Sequence, residues 1–229
     1  MGYFSENNFT TIVLNATAFL ILFGVIYYTS HYRKRGRIDD KLYFAMVLIT
    51  MLCVLSCGAA YAVETVFYNL TILLNDIYFI TLDASFCLTT IYFDYRSHQN
   101  KALSRKRVCI LSLPAVLTAI ALILNHGVHF IFWVDDSTGM FKVLKYYNVI
   151  YVAPVLYAIA IIFISRINKG GIFVMILLIV SRIVLAFAMP GVTSTTLFIA
   201  VALVFIHINE MRYSFYDEER NASEEKEGV

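Results

Sequence analysis

Charge is scarce in this chain. Lys, Arg, Asp and Glu make up 15% of its 229 residues, against about 25% in ordinary globular proteins. Such a surface is poor for nucleic acid, and no nucleic-acid partner is expected. Cysteine is also sparse, with four residues. Cys53, Cys57 and Cys87 lie in apolar runs and Cys109 lies just past a basic cluster. None falls in a segment expected outside the cell, so no disulfide is expected. No CxxC or Cys/His spacing suits zinc, and neither a metal nor another cofactor is expected. The opening "MGYFSENNF" carries Glu6 and no positive residue. It lacks the basic start of a signal peptide, so the first apolar run should remain in the protein. Glu6 also stands where a myristoylation signal needs Ser or Thr. No GxSxG, HExxH, P-loop or dinucleotide fingerprint occurs, so no enzymatic activity is expected of this chain.

Apolar residues, by contrast, form 60% of the chain, and the mean hydropathy is +0.73. They cluster in runs that match the ~20 residues a bilayer-crossing helix needs. Seven runs are legible: Phe9–Ser30, Leu42–Ala62, Asn75–Tyr95, Val108–Asn125, Tyr147–Ile164, Ile172–Met189 and Thr195–Ile208. A helix satisfies its own backbone polar groups in lipid. A β-barrel would need short alternating segments, which are absent. The expected fold is all-α, a polytopic membrane protein of seven transmembrane helices over residues 1–208. Residues 209–229 should form a charged, disordered cytoplasmic tail.

The connecting segments are strongly biased. "HYRKRGRIDDK", "RSHQNKALSRKR", "SRINKGG" and the tail together hold fifteen Lys and Arg, whereas the opposite side holds Lys142 and Lys145. The positive-inside rule then puts the N-terminus outside and the C-terminus in the cytoplasm of a cell-membrane protein. The longest outer segment contains "FIFWVDDSTGMFKVLKYY". Its aromatic flanks around a turn-rich DDSTG predict an outer β-hairpin between the fourth and fifth helices. A re-entrant or interfacial loop is the other reading.

One cation and three anions fall in the outer half of this layout. Arg182 interrupts the sixth run, where a charge costs about 2.5–3.5 kcal/mol at a helix centre. Asp76 and Asp83 in the third run are two helical turns apart and share a face. Glu64 ends the second run on the same side. Arg182 pairs with Asp83 as a structural tie, or snorkels to the outer headgroups, or else Arg182, Asp83, Asp76 and Glu64 line an outward-facing ligand site. Tyr78, Tyr92, Tyr151 and Tyr157 could offer hydroxyls inside the bundle, and Pro154 could kink the fifth helix. Asp94 and Arg96 are expected to be solvated or interfacial at the cytoplasmic face. The five histidines sit at run ends or in connections, which weighs against a proton pump.

The seventh run has no lysine for a retinal Schiff base, and no outer disulfide or NPxxY-like motif suggests a G-protein-coupled receptor. The order "RKRGRIDDKLYFAMVLITM", "LNDIYFI", "IYFDYR", "FWVDDSTGMFKVLKYY" and "ALVFIHINEMR" resembles the N-terminal seven-helix sensor region of bacterial receptors with a diguanylate cyclase (GGDEF) or histidine kinase domain. That resemblance implies a membrane sensor taking a small ligand from the outer side and signalling to a cytoplasmic partner. Residues 209–229 are too few for a catalytic domain, so the output is left to a partner or to sequence beyond this chain. A small-solute transporter or channel is the alternative.

Overall fold

The computed structural model describes residues 6–32, 38–64, 66–97, 104–135, 141–164 and 195–208. Among the described residues the chain is mostly helical, and five stretches are long and apolar enough to cross a membrane. They lie in α1 (Glu6–Tyr32), α2 (Ile38–Val63), α3 (Tyr68–Ser97), α4 (Arg105–Val128) and the Tyr147–Ile164 segment. That last segment begins as a 3-10 turn (Tyr147–Tyr151) and continues as α5 (Val152–Ile164). A shorter apolar helix, α6, covers Thr195–Ile208. The sixth run, with Arg182, lies outside the described residues, as do the 136–140 turn and the 209–229 tail.

Helix α3 is the most buried of the span-length helices and α4 the least. It begins at Tyr68, a full two turns before the apolar run read from the sequence. The reason is its polar inner face. Thr71, Asp76, Thr81, Asp83, Ser85, Thr89, Thr90 and Asp94 are all buried, and they lower the hydropathy of a helix whose outward side is apolar. Hydroxyls on this face settle onto their own backbone, as Thr81 does on the Ile77 carbonyl at 2.6 Å.

Small polar contacts tie α2 to α3. The Thr50 hydroxyl donates to the Met46 carbonyl at 2.8 Å. Ser85 must therefore supply the hydrogen in its 2.6 Å contact with Thr50. Helix α1 comes close to α2 at Gly58, where an added Cβ would stand 3.3 Å from Asn15 Cβ. Small residues allow such approaches between membrane helices. Asn15 then serves three neighbours. Its Nδ2 donates to the Thr11 carbonyl at 2.8 Å and contacts Cys57 Sγ at 3.6 Å. Its Oδ1 accepts from Thr196 at 2.8 Å.

Helix α6 runs parallel to α1. Thr196 meets Asn15 near one end, and His207 packs edge-on against Tyr28 near the other. The buried Tyr43 of α2 donates to the Leu203 carbonyl at 3.0 Å and stacks on His207.

Between α4 and the 3-10 turn the chain forms two short antiparallel strands, β1 (Phe132–Val134) and β2 (Phe141–Val143), with Trp133 opposite Lys142. Pro154 does not interrupt a helix. It stands in the first turn of α5, where its missing N–H leaves no intrahelical bond unmade.

Candidate functional site on the acidic face of α3

The end of α4 is held by one side chain. Asn125 is buried and makes three hydrogen bonds to the chain that follows. Its Oδ1 accepts from the Phe130 and Ile131 N–H groups at 2.9 and 2.7 Å. Its Nδ2 donates to the Phe132 carbonyl at 3.0 Å. His129 between them adopts a left-handed conformation, φ 49°, and its N–H caps the Asn125 carbonyl at 2.8 Å. The helix end, the reversal and β1 thus form one hydrogen-bonded unit.

Next to Asn125, the His126 Nε2 lies 2.6 Å from an Asp76 carboxylate oxygen. The contact is an ion pair when the imidazole is protonated. Asp76 is buried while the His126 side chain is 53% exposed. Below them an aromatic cluster fills the space under β1. Phe79 packs against Tyr78, Phe132 and Tyr147, and the Tyr151 hydroxyl lies 3.4 Å from that of Tyr147.

Asp83, two turns deeper, is 1% exposed, and among the described residues neither of its carboxylate oxygens has a hydrogen-bond partner. The nearby hydroxyls have other commitments. Thr118 of α4 faces the Asp83 carboxyl, but its hydrogen goes to the Pro114 carbonyl at 3.2 Å. Tyr157 of α5 is close enough to sense the Asp83 charge, yet its oxygen accepts from the Ala115 N–H at 3.0 Å and its hydrogen faces the Cys87 sulfur. Pro114 explains that bond. Proline lacks an N–H and its ring crowds the carbonyl one turn back, which opens the helix. Neighbouring helices then serve the loosened turn. Tyr157 takes the Ala115 N–H, and Cys87 Sγ of α3 approaches the Leu111 carbonyl at 3.6 Å.

Of the four residues read from the sequence as a ligand site, Glu64, Asp76 and Asp83 are among the described residues. Glu64 follows α2 and accepts from Asn8 Nδ2 of α1 at 3.0 Å. Asp76 pairs with His126, Asp83 lies alone at depth among the described residues, and Arg182 is outside them. Of the four tyrosines, Tyr157 has a defined structural role, Tyr78 and Tyr151 belong to the aromatic cluster, and Tyr92 is buried near Tyr43. Asp94, expected to be solvated or interfacial, is largely buried and faces Arg107 at 3.9 Å. His126, Asn125 and Pro114 were missed as site residues. The signal for Pro114 was available, since it interrupts the fourth run near its middle.

No family model, no curated protein and no solved structure matches this chain.

Proposed function

We propose that the chain is a seven-helix membrane sensor, N-terminus outside and C-terminus cytoplasmic. It would take a small ligand from the outer side and relay the event to a cytoplasmic partner or output domain. The observation that carries this reading is the Asp76–His126 pair. It joins α3 to the very turn of α4 from which Asn125 holds the strand pair. A ligand competing for either partner would free α4 and the strands together, a local event with a mechanical consequence for the bundle. The strand pair covers the outer mouth in this reading, and a label at Asp136 or Thr138 should react from outside.

The count of seven is supported by the described ends. Helix α5 stops at Ile164 on the side away from the strands, and α6 starts at Thr195 on the strand side. One further crossing between them completes an odd number, in accord with the fifteen-to-two charge bias. Arg182 enters the proposal as the cation that holds an anionic or polar group of the ligand. Its membership fails if its stability effects are strictly additive with those of Asp83, Asp76 and Glu64.

A thermal-shift survey of small polar solutes, on full-length protein in lipid nanodiscs, tests the site. Stabilising solutes should lose their effect in both Asp76→Asn and His126→Ala. Solutes that stabilise both variants as well as the parent would remove the site. A transporter is the second reading, favoured by the opened turn at Pro114 beside Asp83, since broken helices line transport sites. Solute flux in reconstituted vesicles would decide for it and against the sensor.

A further inference from the structure

Asp83 stands at the middle of the 30-residue α3, about 22 Å from either end at 1.5 Å per residue. A buried carboxylate in such a place costs several kcal/mol unless something brings hydrogen bonds or positive charge to it. Nothing described in the protein does. The Ser85 hydrogen goes to Thr50, the Thr81 hydrogen to the backbone of its own helix, and the Thr118 hydrogen to the Pro114 carbonyl. No Lys, Arg or His among the described residues pairs with Asp83, and both its oxygens are unpartnered. The Tyr157 hydrogen faces the Cys87 sulfur, so no described hydroxyl is paired with the carboxylate.

We propose that Asp83, with the Thr118 hydroxyl oxygen, binds a small monovalent cation in the middle of the bundle. The Thr118 hydroxyl donates to the Pro114 carbonyl at 3.2 Å, and its oxygen lone pairs remain for a cation held at the Asp83 carboxylate. Thr118 makes the back-bond one turn behind it that Thr50 and Thr81 also make, and the turn loosened by Pro114 leaves the Ala115 N–H to Tyr157. A single carboxylate balances a single charge. Divalent ions gather several hard oxygen ligands, commonly with more than one carboxylate, and among the described residues no three His, Cys, Asp or Glu converge on one point. The site does not depend on the sensor reading and would serve a transporter equally.

The test is thermal unfolding of the full chain in nanodiscs. Sodium or potassium chloride replaces choline chloride at constant ionic strength and pH. The melting temperature of the parent should rise saturably with one of the alkali cations. Thr118→Val should move the half-effect concentration upward by about tenfold or more, the scale of lost ligand support at a metal site. Asp83→Asn should melt higher than the parent in choline and show no cation response. A parent indifferent to alkali cations, or one that follows pH alone, overturns the proposal: Asp83 is then met by a proton or by Arg182. A cation response that persists in Asp83→Asn, or a half-effect unmoved in Thr118→Val, overturns it as well. If Asp83→Asn does not fold, the parent and Thr118→Val still decide.

Discussion

Tyr157 of α5 accepts a hydrogen bond from the Ala115 N–H of α4 at 3.0 Å, one residue beyond Pro114. A side chain on one helix thus completes the backbone of another, at a point where proline has opened it. Two helices that touch sparingly elsewhere are joined at a polar contact in the apolar interior. Tyr157→Phe keeps the ring and deletes the acceptor. It should destabilise the protein by about 1–3 kcal/mol, the scale of an orphaned buried N–H. In a Pro114→Ala background, where the turn can close, the same change should matter less. Denaturant unfolding in detergent of both singles and the double measures this. Equal losses in both backgrounds would refute the link.

Asn125 predicts a cooperative loss. Replacing it with Ala removes the acceptor for two N–H groups and the donor to the Phe132 carbonyl. A loss of about 2–4 kcal/mol is expected, with part of each bond recovered from water at the helix end. Asn125→Asp retains the acceptor and should lose less. Cysteine labelling at Trp133 should accelerate in Asn125→Ala if β1 is released, and an unchanged rate would separate Asn125 from the strands.

The Asp76–His126 pair should show a measurable coupling. Because the His126 side chain is half exposed, solvent screening limits its worth, and a double-mutant cycle with Asp76→Asn and His126→Ala should give about 0.5–1 kcal/mol. Zero coupling would demote the contact to a passing neighbour and weaken the proposed ligand site.

Orientation can be tested without structure. A reporter fused after Val229 should read cytoplasmic, and a tag ahead of Gly2 should read external. The two termini on the same side would exclude an odd number of crossings.

From the sequence by itself came the five helices, among the described residues, that are long and apolar enough to cross a membrane, and the acidic face of α3. These depend on run length, hydropathy and the helical repeat, all of which are local. Asp76 and Asp83 share a face because seven residues make two turns in any α-helix. Their fates differ because their neighbours differ. Only packing sets His126 of α4 against Asp76, and only packing leaves Asp83 facing a Thr118 hydroxyl already spent on the Pro114 carbonyl. The partner of Ala115 is likewise a residue 42 positions away, reached because the neighbouring helix passes the opened turn. Hydropathy reports that a residue enters the membrane. Which polar groups it meets there depends on the rotation and depth of helices distant in sequence, and that is decided by the tertiary fold.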